Sequence, residues 1–316
     1  MIIVIGATGF IGHYLVEQLF KDGFDLLATG RSRKGEEYYK RRGIPFVRMD
    51  ISRKKDFEKL PQKGVSIVIH LASLIPAAAS EHNAIQYMQI NAFGTLYLLE
   101  YCRKIQVDRL IFTSSHFDVQ GLWGSDIPIK PDAPRKIIYT GNHTLYIISK
   151  IAAMDYIEHY RQEYGVNSII FRLCGVYGYG RYETGFELFV KKAMHSEAVE
   201  VWGDRSIDRD FIYVKDVVSA LIAAIDNRNA TGLYNLAFGE GISLERKIKT
   251  VVDAFSPHDN PSKLIYCPEK NNELSGYVYD IESTKKDIGF RPLYSFDKMV
   301  IDYKKERNDK RFDSGR

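Results

Sequence analysis

The N-terminal segment constrains this chain more than any other part of it. Met1-Ile2-Ile3-Val4-Ile5 is an unbroken apolar run, followed at once by Gly6-Ala7-Thr8-Gly9-Phe10-Ile11-Gly12 and then by His13 to Phe20, where Leu15, Leu19 and Phe20 recur at helical spacing. Four consecutive aliphatics predict a strand buried on both faces, and the recurring apolar positions predict a helix after it. Glycines between a strand and a helix let the backbone turn sharply, approach a pyrophosphate and pack helix on strand, while free amides at the helix start attract the anion. The spacing is GxxGxxG rather than GxGxxG, and an ordinary strand-to-helix turn is the plain alternative. The context favours nucleotide binding, with Gly6, Thr8, Gly9, Phe10, Ile11 and Gly12 as the candidate residues.

With 316 residues, 45% of them hydrophobic, the chain can bury a large core, expected as one large domain with a smaller annex. The apolar runs are strand-sized and the first strand begins at Met1. Neither a signal peptide nor a membrane span is therefore expected, and a cytoplasmic location follows. The net charge is +4, and the basic clusters Arg31 to Lys34, Lys40 to Arg42 and Arg53 to Lys55 are short and interleaved with acids. They read as solvated faces, with no nucleic-acid partner. Cys102, Cys174 and Cys267 are odd in number and far apart, which argues against a disulfide framework or a metal site and for small buried hydrophobes.

Further along, Phe24 to Thr29 reads as a second strand ending in Gly30-Arg31-Ser32-Arg33. An acidic side chain near this strand end takes the adenine ribose hydroxyl of NAD, whereas arginine accommodates the 2′-phosphate of NADP. Gly30 and Arg31 therefore favour NADP over NAD. Strands follow at Ile44 to Arg48, before Asp50-Ile51, and at Val65 to His70, closing in Leu71-Ala72-Ser73. Alternating strands and helices specify an α/β fold, a Rossmann-type doubly wound parallel sheet. Taken alone, His70 reads as a satisfied structural histidine. A helix is expected from Ala84 to Ile105, containing Asn91, and a fifth strand from Arg109 to Ser115. The next stretch, with Gly121, Gly124, Pro128, Pro131, Pro134 and Gly141, is too rich in breakers for a regular element and is expected to wall the active site. A helix then runs from Leu145 to about Tyr164, with Tyr146 and Lys150 one turn apart on one face. A free tyrosine titrates near pH ~10, and a close cation favours its ionised form, which makes the pair a usable proton shuttle.

Together these residues resemble the extended short-chain dehydrogenase/reductase family, which includes nucleotide-sugar epimerases, dehydratases and 4-keto reductases. The resemblance covers essentially the whole chain. Beside the glycine turn it rests on Asp50-Ile51, His70-Leu71-Ala72, Asn91 with Gly94-Thr95, Ser114-Ser115 and Tyr146 with Lys150. Phe171 to Gly178, Arg209 to Val217, Tyr234-Asn235-Leu236 and Gly289-Phe290-Arg291-Pro292 extend it. It implies that Ser115 hydrogen-bonds the reacting oxygen, Tyr146 exchanges its proton, and Lys150 holds the nicotinamide ribose while tuning Tyr146. By the same resemblance Asp50, Ile51, Leu71, Ala72 and Asn91 belong to the cofactor set. Arg209 would meet a substrate diphosphate, a surface salt bridge being the alternative. Residues 1–174 would form the dinucleotide-binding domain, with 232–238 returning to its sheet, and 175–316 mainly the substrate-binding domain. A homodimer is implied through the helices 84–105 and 145–164, whose Tyr97, Tyr101, Tyr156 and Tyr160 add to an exposed apolar surface. The charged stretch from Lys304 to Arg316 is expected to fray.

Three departures from the family bear on function. Gly175 stands where sugar-nucleotide enzymes often carry Asn. Ser115 is followed by His116-Phe117-Asp118 and not by the Asp-Glu of dehydratases, which makes dehydration the least favoured chemistry. The stretch from Ser115 to Gly121 is one residue longer than usual, and Gln120 replaces a tyrosine. His116, a candidate substrate contact, could add an acid/base or cap the strand, and the cap is favoured. An NAD(P)-dependent epimerase or 4-keto reductase of a nucleotide-activated sugar is the leading reading. Reduction of a non-sugar carbonyl, and a cofactor-binding regulator without turnover, stay open.

Overall fold

The computed structural model describes residues 1–76, 83–139, 141, 143–181, 184–227, 229–270 and 275–312. The chain opens with β1 (Ile2–Ile5), α1 (Phe10–Lys21), β2 (Leu26–Gly30), α2 (Arg33–Arg41), β3 (Phe46–Arg48) and β4 (Ile67–His70). A continuous helical segment follows: α3 (Ala84–Tyr87), a π-helical turn over Met88–Phe93, and α4 (Gly94–Ile105). Next come β5 (Arg109–Ser115), a 3-10 segment over His116–Leu122, α5 (Thr144–Tyr164), β6 (Ser168–Leu173), β7 (Val176–Tyr177) and α6 (Gly185–Met194). The remainder is β8 (Val199–Trp202), β9 (Asp208–Arg209), β10 (Ile212–Tyr213), α7 (Val214–Asp226), β11 (Gly232–Leu236), β12 (Ile242–Ser243), α8 (Leu244–Phe255), β13 (Leu264–Cys267) and α9 (Phe296–Asn308).

Seven strands form one sheet in the order β11-β6-β5-β4-β1-β2-β3, every neighbouring pair parallel. Alternate residues of β1 serve opposite cores, as side chains on a strand must. Ile2 and Val4 pack with Leu15, Leu19, Val217 and Leu221 of α1 and α7, while Ile3 and Ile5 pack with Leu98, Leu99, Ala153 and Ile157 of α4 and α5. From β1 the chain winds outward to β2 and β3, then returns to lay β4, β5 and β6 on the other side. The strand order thus reverses between β1 and β4, and their carboxyl ends splay into the crevice where open α/β sheets take ligands. Short strand pairs, β8 with β13 and β9 with β12, stand outside the sheet with α6 and α8.

Some sequence expectations need correction. Tyr101 and Tyr160 do not contribute exposed surface: Tyr101 is buried and donates to Pro61 O at 2.6 Å, and Tyr160 is buried with its hydroxyl on Glu100. Ile85, Phe93, Ile148 and Tyr164 are the exposed large apolar residues on these helices. The C-terminal stretch does not fray as far as residue 312. Phe312 is 1% exposed and stacks on Tyr179, and Arg311 bridges Glu17 at 2.9 Å, so a short aromatic anchor outweighs the charge around it. Residues 313–316 lie outside the described ones. Among the described residues no helix is long and apolar enough to cross a membrane.

Candidate active site

The glycine turn holds its shape for steric reasons. Gly6 has φ +89°, and a Cβ there would lie 2.5 Å from the backbone nitrogen of Ala72; at Gly12 it would lie 2.4 Å from Gly6 O. Only glycine lets β1, the start of α1 and the end of β4 approach this closely. Gly9 caps α1 without a side-chain hydrogen bond, so the first-turn amides stay open toward the crevice. A cavity of about 330 Å³ lies there, lined by Gly6, Thr8, Gly9, Arg31, Asp50, Ile51, Leu71 and Ala72. Gly30 is also sterically fixed, since a Cβ would come within 2.7 Å of Thr8 Oγ1. A side chain at position 30 would crowd Thr8, and the exposed Arg31 is the next side chain. These residues fit a dinucleotide.

A second cavity of about 320 Å³ shares Gly6, Gly9, Leu71 and Ser73 with the first and is lined further by Phe10, Ile11, Ser115, His116, Tyr146 and Arg181. Asn91 lines neither cavity. From the π-helical turn its side chain accepts from Leu74 N at 2.7 Å and from Ser73 Oγ at 3.1 Å, and donates to Ser149 Oγ at 2.9 Å. It thereby fixes the loop after β4 and acts as a positioning residue.

The Tyr146 ring packs with Leu74 and Tyr87, and its hydroxyl hydrogen-bonds with Ser115 and Ser73. Burial holds this phenol above its ordinary value, while Ser115, Arg181 and Ser73 pull it back down. Lys150 takes a different position from the expected one. Its Nζ donates to Thr113 O at 2.8 Å and lies 4.0 Å from the Phe112 ring centroid, turned to β5, and burial lowers it to about 7. The i,i+4 spacing does bring the two residues to one face, but a backbone carbonyl takes the ammonium. Among the described residues His70 is satisfied on one side only: Nε2 lies 3.0 Å from Thr95 Oγ1, while Nδ1 is buried without a partner, and burial with nearby Lys150 keeps the ring neutral.

His116 is not a strand cap. Its ring sits among Phe117, Trp123, Tyr277 and Tyr279, with Nδ1 3.0 Å from the Tyr279 hydroxyl. Burial first, then Arg209 and other cations, lower it to about 3, so it is neutral and no acid at physiological pH. Asp118 two residues on is fully buried against Arg172, whose Nε and Nη2 reach its carboxylate at 2.9 Å each. Arg209 forms no salt bridge among the described residues. Its Nε donates to Ser275 O at 3.1 Å, and its Nη2 is buried without a partner among the described residues.

Two wall residues escaped the sequence reading. His143 stacks on Phe117 with centroids 4.2 Å apart, and Arg181 lies beside Tyr146 and Tyr177. Neither belongs to a motif, because loops that close over a site from a distance carry no periodic signal.

Residues 2–237 match the model of the NAD dependent epimerase/dehydratase family. A putative UDP-glucose 4-epimerase of Methanocaldococcus jannaschii is 28% identical over 320 residues, covering 98% of this chain and 99% of that protein. The UDP-glucose 4-epimerase of Mycolicibacterium smegmatis is 25% identical, covering 92% of this chain and 93% of its own. Among solved structures, the UDP-glucose 4-epimerase of Thermotoga maritima with UDP-glucose superposes with a TM-score of 0.82 at 24% identity, covering 98% of this chain and 99% of that one.

Proposed function

This chain belongs to the NAD dependent epimerase/dehydratase family, and on that premise we propose that it transfers hydride on a nucleotide-activated sugar, as an epimerase or a 4-keto reductase. The observation that carries the reading is the meeting of the Ser115 and Tyr146 hydroxyls on a cavity that shares Gly6, Gly9, Leu71 and Ser73 with the dinucleotide cradle. Ser115 Oγ orients the reacting sugar oxygen, and the Tyr146 hydroxyl gives or takes the proton at that oxygen. In this reading Lys150, whose ammonium rests on Thr113 O, also holds the cofactor ribose once the cofactor is bound. A bound nicotinamide cofactor supplies the partner in hydride transfer. Arg209, with a buried nitrogen lacking a partner among the described residues, suits the substrate diphosphate. Dehydration is disfavoured, because Asp118, the first acid after Ser115, has its carboxylate tied to Arg172.

Incubation with UDP-glucose and cofactor tests the reading. Conversion to UDP-galactose without net change in the cofactor marks an epimerase, and oxidation of NADPH by a 4-keto sugar marks a reductase. Absence of both, across UDP- and dTDP-linked sugars, would overturn the proposal. The reductase arm gains weight from Gly30 and Arg31, which suit the released, phosphorylated cofactor. NADPH is expected to bind more tightly than NADH by roughly one to two decades, the worth of about 1.5–3 kcal/mol for a charge-assisted contact at Arg31. Calorimetric titration measures this, and Arg31→Ala should erase the difference.

We also propose a homodimer built on the helical segments 84–105 and 145–164, supported by the exposed Ile85, Phe93, Ile148 and Tyr164. Light scattering at micromolar concentration should give twice the monomer mass, and Ile148→Asp should halve it.

A further inference from the structure

The imidazole of His116 has a tautomer set by two side chains that precede it in no motif. Trp123 Nε1, which can only donate, gives its proton to the Tyr279 hydroxyl at 3.1 Å. That hydroxyl is buried, burial keeps its own proton on, and its one other partner among the described residues is His116 Nδ1 at 3.0 Å. A buried hydroxyl proton left unpaired is costly. The phenol therefore donates to Nδ1, and the neutral ring carries its proton on Nε2. Tyr279 is itself held in place: its backbone nitrogen donates to Asp210 Oδ2 at 3.1 Å, and the residue bridges to Ile129.

Nε2 makes no hydrogen bond among the described residues, yet it is not sealed in the core as His70 Nδ1 is. The ring lines the second cavity with Ser115 and Tyr146, so the Nε2 proton opens onto that cavity as a neutral donor without a protein acceptor. Ser115 and Tyr146 already serve the reacting oxygen. One residue further on, about 3.8 Å along the backbone, His116 is placed to meet what flanks it. We propose that His116, locked by Tyr279 and Trp123, donates from Nε2 to an oxygen on one side of the reacting sugar carbon and selects substrates that carry a hydroxyl there. Tyr279 and Trp123 are then positioning residues. The inference rests on the nucleotide-sugar reading above and names the part of the sugar that the site checks.

Two measurements on the full-length protein test it. Nitrogen-15 NMR of histidine-labelled protein at pH 7, with His116 assigned by its loss in His116→Phe, should show the proton on Nε2, and Tyr279→Phe should give a mixture of tautomers. A wild-type ring protonated on Nδ1, or one unmoved by Tyr279→Phe, overturns the lock. The second measurement titrates UDP-glucose and its 3-deoxy and 6-deoxy counterparts calorimetrically into protein saturated with NADPH. These analogues lack the hydroxyl on one side or the other of C4. The wild type is expected to bind one of them about 10-fold more weakly than UDP-glucose, and His116→Phe should bind that analogue and UDP-glucose alike. A wild type indifferent to both hydroxyls overturns the proposal, and so does a His116→Phe protein that discriminates as the wild type does. If UDP and all three UDP-sugars fail to bind the wild type while NADPH binds, the nucleotide-sugar reading itself fails, and this inference with it.

Discussion

Tyr146→Phe is expected to lower turnover by about 10²–10⁴ while leaving the fold and cofactor binding largely intact, since one hydroxyl is lost and that hydroxyl is the proposed proton carrier. Its environment explains why the loss should be so selective. The ring stays packed on Leu74 and Tyr87, and only the hydrogen bonds with Ser115 and Ser73 disappear. Lys150→Met should behave differently, weakening cofactor binding as well as turnover, because the ammonium is proposed to hold the ribose. Nicotinamide fluorescence separates the two variants without a known substrate. The stability of Lys150→Met should also depend on pH. Burial lowers Lys150 from 10.5 to about 7, so between those values the unfolded chain binds a proton that the folded one does not. The wild type therefore gains stability as pH rises from about 7 to about 10.5, and carries the full penalty below about 7. Met removes that penalty, so thermal unfolding should show the variant gaining on the wild type near pH 6 and losing the gain toward pH 10. If the difference is flat across that range, the ammonium is not desolvated as described.

Much of this arrangement was legible in the order of residues. Gly6, Gly9 and Gly12 between an aliphatic run and a helix admit few structures, and the steric contacts at Gly6 and Gly12 show why no other residue serves. Tyr146 and Lys150 share a face because helical spacing demands it. The illegible features depend on contacts between distant segments. The spacing could not say that Thr113 O would take the Lys150 ammonium, nor that Tyr101 would reach Pro61. A charged C-terminal stretch looks frayed until Phe312 is seen against Tyr179 and Arg311 against Glu17. His116 looked like a strand cap because its neighbours in sequence are known, whereas its neighbours in space, Tyr277 and Tyr279, come from the far end of the chain. Arg172 gave a signal that only the fold could interpret: one cation in the apolar strand Ile169 to Leu173 requires a buried acid, and nothing in the sequence singles out Asp118.

That pair supports the second large effect. Asp118→Ala is expected to destabilise the protein by about 3–5 kcal/mol, because it leaves the Arg172 charge buried in the sheet without its acid. Arg172 and Asp118 are 1% and 0% exposed, so water cannot replace the lost partner without opening the structure. The remaining acceptors, Asn235 Oδ1 at 3.0 Å, Pro131 O at 3.1 Å and Lys130 O at 3.5 Å, serve only Nη1 and leave Nε and Nη2 bare. The damage should reach the site as well. Asp118 lies in the 3-10 segment directly after Ser115, and its own carbonyl accepts from Lys136 N at 2.9 Å, tying that segment, whose His116 and Phe117 line the cavity, to the stretch that follows it. Turnover should therefore fall together with the denaturant midpoint. An Asp118→Leu/Arg172→Met double variant removes both charges, and replacing a buried ion pair with apolar groups of similar volume is often close to neutral. It should recover most of the stability lost by Asp118→Ala but less of the activity, because the segment is then held by packing without the directional bonds that set its angle. Equilibrium urea unfolding measures the first part. A single-variant cost below about 1 kcal/mol, or a double variant less stable than Asp118→Ala, would mean that the pair does not hold this loop.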